Sequence, residues 1–450
     1  MAQPNANNEK SWGDTDESTY KYIEGLVKKH GVGKKLYDEM KVERDKWRKE
    51  AINIAFIGQA RQGKSSLINA NIGRKVAKVR ATGVCTTDIR SFAHPKNPNI
   101  IMWDVPGVDA VKFPRDQYFD KIGYNVNNYD FFLIVTKDIF SSDAKYVADL
   151  VQENNKRFYL VRTHIDDTIE KQLDDKDDDE FLSEEDIVAD VRKNIQEELE
   201  TFAFDTNKFK VYLVNNKNSL EFDFPKLKED ICRDSVSELQ QEALLLTIGG
   251  YGRQMIDLKY SLFKKRLTKA ALASAAGGAV PIPGVSATVD IGILIEETLT
   301  YFEGFGLSKE SIESLEELNE VPNGTIEIAL TNKLYNEYRL LYVIREGAPR
   351  ALSSWDSVKS AALSIASTSG RYILSQLSLV ATSETVETGA KWLLPIVGSV
   401  VAAGISYLVT SYQLGCFLDQ LKIIAEFANS YLSDVERHRI TAFEANSDED

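Results

Sequence analysis

Through the first half of the chain, short apolar runs alternate with longer stretches of helical spacing. The runs are Ala51 to Ile57, Asn99 to Asp104, Asp130 to Val135, Arg157 to Arg162 and Lys210 to Asn215. Their near-continuous apolar character predicts strands buried on both faces of a mostly parallel sheet. Such α/β sheets hold ligands at the carboxyl ends of their strands, so the informative residues are expected at or just after the end of each run. From about Asp234 onward the strand runs cease, and long helical patterns predict a mostly helical second half. Upstream, Tyr20 to Lys49 carries Ile23, Leu26, Val27, Leu36, Tyr37, Met40 and Trp47 at near-helical spacing, the pattern of a helical cap. Residues up to about Glu17 read as a polar tail, and Glu444 to Asp450 as an acidic, disordered one.

Two uncharged stretches stand out in the helical half. Ala270 to Val289 is broken by Gly277, Gly278, Pro281, Pro283 and Gly284, which predicts a helical hairpin or buried turn instead of a single spanning helix. Trp392 to Leu418 exceeds the ~20 residues that a membrane span needs. Its small residues, Pro395 and scattered Ser, Thr, Tyr and Gln positions suit a buried helix pair, with switchable membrane insertion and a constitutive span as alternatives.

The strongest local signal is Gly58-Gln59-Ala60-Arg61-Gln62-Gly63-Lys64-Ser65, standing between the first apolar run and the helical pattern that opens at Ser65-Ser66-Leu67. A phosphate loop needs that strand-loop-helix setting. Loop amides and the positive end of the helix dipole cradle a di- or triphosphate, Lys64 reaches its β- and γ-phosphates, and Ser65 ligates Mg²⁺. The second run ends in Asp104-Val105-Pro106-Gly107, where the Asp holds Mg²⁺ through water and the Gly lets its N–H approach the γ-phosphate. Between them lies Thr82 to Asp88, a loop expected to offer the metal a hydroxyl only in the triphosphate state. Thr87 is favoured there, with Thr86 as the rival.

The run from Arg157 leads into Thr163-His164-Ile165-Asp166. Guanine-binding proteins carry N/T-K-x-D at this point, with the carboxylate accepting hydrogen bonds from the base edge and the lysine stem packing on its ring. His164 replaces that lysine. An imidazole still stacks on a base, so guanine specificity is expected to rest on Asp166. After the last run, Asn215-Asn216-Lys217 stands where a short loop presents a backbone amide to the guanine carbonyl.

Composition narrows the partners. At 450 residues, 43% hydrophobic and 27% charged, the chain is long enough for two or three domains with substantial cores. A net charge of −14 argues against nucleic acid. Cys85, Cys232 and Cys416 are odd in number and far apart, as in a reducing compartment, and the four histidines form no zinc-ligand spacing with them. The opening residues lack the apolar core of a signal peptide and the glycine of a myristoylation site, so a cytoplasmic location is expected.

With its motifs in this order, the chain resembles the immunity-related GTPases, the dynamin-like, interferon-inducible family that assembles on intracellular membranes and parasite vacuoles. The likeness extends to Ala81-Thr82-Gly83-Val84, His94 to Asn99, Trp103 to Val108, Tyr129 to Phe132, Phe158 to Thr163, and Asn216 to Asn218 followed by Asp223-Phe224-Pro225. It implies a Ras-like GTPase domain, residues 50–233, inserted into an all-α domain built from residues 18–49 and 234–440. It also implies GTP and GDP as substrate and product, Mg²⁺, homodimers or homo-oligomers formed through the GTPase domain, and peripheral association with intracellular membranes. A nucleotide-binding scaffold with little hydrolysis is the alternative, and an ATP-using enzyme is disfavoured by Asp166.

Where small GTPases place a water-orienting glutamine, this chain has Val108. Arg61 resembles the arginine that guanylate-binding proteins carry in a similar loop, where it acts in cis. As a finger over the phosphates it would be worth about 10³- to 10⁵-fold in rate.

Overall fold

A computed structural model describes residues 41–77 except 43, 89–108, 125–174 except 139, 183–201, 209–248 except 236, 252–278, 285–347 except 320, and 400–447, with positions 38, 39 and 118 besides. The apolar runs become strands: β1 (Ile52–Gly58), β3 (Asn97–Pro106), β4 (Phe131–Thr136), β5 (Arg157–Arg162) and β6 (Val211–Leu213). One strand escapes the apolar pattern, β2 (Arg90–His94), whose Arg90, Ser91 and Ala93 face solvent. It pairs antiparallel with β3 as an edge, whereas all other pairings are parallel, in the order β2-β3-β1-β4-β5-β6.

This is the α/β, Ras-like arrangement with a mostly parallel sheet, accompanied by a helical part. β1 is central because Ile52, Ile54, Ala55, Phe56 and Ile57 are all buried, which only a strand covered on both faces can satisfy. Helices α1 (Lys64–Ile72), α2 (Ser142–Glu153), α3 (Ile165–Asp174), α4 (Glu184–Thr201), α5 (Phe224–Arg233) and α6 (Glu238–Thr247) follow the strands. One layer of core joins Val147 and Val151 of α2, Ile165 of α3, and Ile187, Val191, Ile195 and Leu199 of α4 to Ile57, Phe132, Ile134 and Leu160 of the sheet. Local signals start these helices. Ser141 Oγ accepts from Ala144 N at 3.3 Å, and Ser183 and Asp186 satisfy each other's backbone N–H in a reciprocal cap before α4.

Strand register brings the carboxyl ends to one edge of the sheet. Gly58 lies opposite Pro106, Ile57 opposite Ile134, Thr136 opposite Arg162, and Arg162 opposite Leu213. The segments that leave this edge begin at Gln59, Gly107, Lys137, Thr163 and Val214.

The described residues fall into two compact units. The sheet and α1 to α6 lie in the unit drawn from Trp47–Met255, which also takes in Glu310–Thr325 and thus α9 (Lys309–Leu318) from its second residue on. The other unit contains most of α7 (Arg253–Gly278), with α8 (Val285–Phe305), α10 (Thr325–Glu337), α11 (Arg339–Gly347) and much of α12 (Val400–Ser447). Every described element from Glu238 onward is helical.

In the helical unit, the buried Arg266 of α7 donates through Nε to Glu297 of α8 at 3.0 Å and through Nη1 to the Arg44 carbonyl at 3.1 Å. Arg44 itself reaches Glu296 at 3.1 Å. Phe263 packs against Tyr301 and Phe305 with ring centroids 4.7 and 5.0 Å apart. Leu414, Leu418, Leu421, Ala425, Ala428 and Leu432 give α12 a buried stripe at helical spacing.

The uncharged stretch from Ala270 enters α7 and resumes in α8, and its breaking residues 279–284 lie outside the described residues. Residues 392–399 of the second stretch also lie outside them. Among the described residues no helix is long and apolar enough to cross a membrane.

Candidate functional site

The loop from Gly58 to Ser65 leaves β1 and turns directly into α1. Gly58 has to lack a side chain, because a Cβ there would collide with the Val135 carbonyl oxygen of β4. Gly107 meets the same loop from β3, where a Cβ would lie 2.7 Å from Gly58 C and 2.8 Å from Gln59 N. Gly63 has φ 77 and immediately precedes α1, so the first amides of that helix open into the loop. Ser66 lies in the first turn of α1, and Ala60 at the bend of the loop.

Lys64 is buried, and its ammonium donates to the carbonyls of Gly58 at 2.7 Å and Gln59 at 2.9 Å. It also stands 3.8 Å from Asp104 Oδ1. Ser65 Oγ donates to Asp104 Oδ2 at 2.9 Å. Asp104 is buried, and its Oδ1 accepts no hydrogen bond. A hydroxyl and a carboxylate with an idle oxygen are the hard donors that Mg²⁺ prefers, and it commonly takes its remaining ligands from phosphates and water. These residues fit that ion.

A second group braces the loop from the far strands. Thr163 Oγ1 stands 2.9 Å from the Gln62 carbonyl, 3.3 Å from the Thr136 carbonyl and 2.8 Å from His164 Nδ1. A hydroxyl has one proton, and here it goes to a carbonyl, so the imidazole donates Nδ1–H to Oγ1. Burial lowers the His164 pKa, with Lys137 and Lys217 adding to that effect and Asp166 and Asp167 opposing it, so the ring is neutral at pH 7. His164 adopts φ 57, which turns its ring over Gly63. Asn216 Nδ2 donates to the Gly63 carbonyl at 3.1 Å, and the Gln62 side-chain oxygen accepts from Lys137 N.

Asp166 opens α3 beside Asp167. Lys217 Nζ lies 2.7 Å from Asp166 Oδ2 and 3.1 Å from Asp167 Oδ1. Asn215 does not face this cluster but holds its loop, accepting from Lys217 N at 2.8 Å and donating to Glu221 at 2.9 Å.

The structure therefore gathers Lys64, Ser65 and Asp104 in one group, and Gln62, Gly63, Thr163, His164 and Asn216 in a second. Arg61 stands apart, exposed at φ 65, with no hydrogen bond or ion pair among the described residues. Thr86 and Thr87 lie outside the described residues. Val108 is 5% exposed and belongs to the core of the sheet, so its side chain is packed away from solvent. Three participants were not evident in the sequence: Lys137, Asp167, and the Gln62 side chain as a strap. Only the doubled acid Asp166-Asp167 at a helix start signalled any of them.

Comparison with known proteins places these observations. The model of the interferon-inducible GTPase (IIGP) family matches residues 17–363. Interferon-inducible GTPase 5 of Bos taurus is 26% identical over 402 residues, which cover 88% of this chain and 76% of that protein. Interferon-gamma-inducible GTPase 10 of Mus musculus is 29% identical over 274 residues, 59% of this chain and 63% of that protein. Among solved structures, Toc33 from Arabidopsis thaliana in complex with Mg²⁺ and GMPPNP is 19% identical at a TM-score of 0.27, covering 40% of this chain and 78% of that one.

Proposed function

The chain belongs to the interferon-inducible GTPase family, and on that premise we propose that the loops at the carboxyl edge of its sheet bind GTP and GDP and hydrolyse the former with Mg²⁺. The observation that carries this reading is the meeting of Lys64, Ser65 and Asp104 under a loop that is closed on its other side by Thr163, His164 and Asn216.

Lys64 reaches the β- and γ-phosphates, and the amides of Gly63 to Ser66 at the start of α1 complete the cradle. Ser65, Asp104 and a hydroxyl from Thr87, or its neighbour Thr86, would hold the metal. Mg²⁺, when bound, offsets charge on the phosphate oxygens. The Asp166 carboxylate accepts the donors of the guanine edge, a pattern adenine lacks, while His164 lies where its ring can pack on the base. Asn215, Asn216 and Lys217 shape the loop at the far side of that base. In the same proposal, residues 50–233 form the nucleotide domain, and residues 18–49 and 234–440 the helical domain.

Val108 cannot orient water, since its side chain is apolar and buried. We assign charge compensation to Arg61, whose exposed guanidinium is free to turn over the phosphates or to meet a second copy. Activity would then rise on nucleotide-dependent dimerisation, with membrane association of the helical half and a role in cell-autonomous defence following the family. A second reading, a nucleotide-loaded scaffold with scant turnover, draws on the same Val108.

GTP turnover per molecule across a wide protein range, with Lys64→Ala as blank, decides between them. Specific activity rising with concentration, and lost in Arg61→Ala by about 10³-fold or more, is the expected result. Flat turnover near the blank despite tight GDP binding selects the scaffold, and turnover unchanged in Arg61→Ala removes Arg61 from the mechanism.

A further inference from the structure

On the nucleotide reading Asp166 faces the guanine edge, yet one of its oxygens, Oδ2, already stands against a cation, although it accepts no hydrogen bond. The Lys217 ammonium sits 2.7 Å from Asp166 Oδ2 and 3.1 Å from Asp167 Oδ1. Its main chain is pinned, because Asn215 Oδ1 accepts from Lys217 N at 2.8 Å while Asn215 Nδ2 holds Glu221 at 2.9 Å. Its side chain is not pinned in the same way, being 73% exposed against 20% for Asp166 and 29% for Asp167. Lys137 closes the other flank at 3.8 Å from Asp167. A guanine edge brings N–H donors to a carboxylate, and an ammonium brings the same kind of donor to the same oxygens. An ammonium 2.7 Å from Asp166 Oδ2 stands in the space a base edge would need to reach that oxygen.

We propose that Lys217 is an internal competitor for Asp166: in the empty site its ammonium takes the place of the purine edge, and guanine must displace it to bind. The inference rests on the nucleotide reading above and adds a determinant of affinity that a motif comparison does not contain. Displacement is easy in mechanical terms, since the lysine stem swings into solvent from a fixed backbone. What is lost is the ion pair, which also keeps two adjacent carboxylates neutralised while the site is empty. An exposed pair of this kind is worth roughly one-and-a-half- to five-fold in an equilibrium constant.

The test is GDP affinity of the full chain, read by displacement of a fluorescent GDP analogue, for wild type, Lys217→Met and Lys217→Gln. Methionine keeps the stem, and with it any packing on the base, while removing the charge. Both variants should bind GDP about two- to five-fold more tightly at low salt. The advantage should shrink at about 1 M salt, where screening has already weakened the competing pair. Equal or weaker binding by Lys217→Met overturns the inference while leaving the nucleotide reading intact. If wild type and both variants bind no more GDP than Lys64→Ala, the nucleotide reading itself fails and takes the inference with it.

Discussion

Replacing Gly63 with alanine puts a methyl group into space that three side chains already claim. A Cβ there would lie 2.8 Å from His164 Cε1, 3.0 Å from Asn216 Nδ2 and 3.0 Å from Thr163 Oγ1, on a backbone at φ 77. The left-handed backbone alone costs an alanine about 1–2 kcal/mol. The steric part is separate, because the neighbours are not idle: Thr163 holds the Gln62 carbonyl at 2.9 Å and Asn216 the Gly63 carbonyl at 3.1 Å. Forcing bonded neighbours aside typically costs about 1–3 kcal/mol. The sum, about 2–5 kcal/mol, is a large share of the roughly 5–15 kcal/mol that holds a domain folded. The assay is a denaturant-unfolding cycle of wild type, Gly63→Ala, His164→Ala and the double variant, each also titrated with GDP. Removing the imidazole clears the shortest contact, so the double variant should recover about 0.5–3 kcal/mol relative to the sum of the single losses. The backbone cost should remain, and GDP binding should fall in Gly63→Ala alone and in the pair. Strict additivity of the two losses would mean that the imidazole does not occupy the space claimed for it.

Stability should fall as pH drops below about 6.5. Burial, aided by the Lys96 and Lys228 charges, pushes the His94 pKa down to about 3. The unfolded chain therefore binds one more proton than the folded one between those values, at a cost of up to about 1.4 kcal/mol per pH unit. Urea midpoints at pH 7, 6 and 5 should show the slope, reduced in His94→Gln; His164, also lowered, contributes with the same sign. Arg266→Met should destabilise the helical unit by about 3–5 kcal/mol, because Glu297 is 0% exposed and loses its 3.0 Å partner. Arg266→Met/Glu297→Met should regain most of that loss in thermal melting. Val108→Gln should not raise GTP turnover, since the side chain enters the core, and burying its amide should lower the melting temperature at a cost of about 1–3 kcal/mol.

Local features of the fold were the legible ones. The strand before the phosphate loop, the loop glycines and the helix after them lie within some twenty residues, so apolar pattern and turn chemistry specify them together. β5 was expected from Arg157 to Arg162 and runs from Arg157 to Arg162. β2 was missed because an edge strand with Arg90 and Ser91 in solvent carries no apolar run, and the polar turn at Pro95-Lys96 hid its pairing with β3. In the site, Lys64, Ser65, Asp104 and Asp166 stood in recognisable order. The long-range braces did not: the strap from Gln62 to Lys137 spans 75 residues and the bond from Asn216 to Gly63 spans 153. His164 was visible as a substitution, whereas its turn over Gly63 depends on a backbone at φ 57 that residue type alone does not dictate.

The bond from Arg266 to the Arg44 carbonyl joins positions 222 residues apart, and that separation sets an order of events during synthesis. At roughly 5–20 residues per second, the partner of Arg44 emerges on the order of ten to forty seconds after Arg44 itself. In that interval the sheet and its helices have all been made and can collapse on local and mid-range contacts. The segment around Arg44 meanwhile lacks the acids that will neutralise it, since Glu296 and Glu297 come later still. The helical unit is therefore the last to close, and a chain released early would carry an assembled sheet and a basic segment awaiting its anchor.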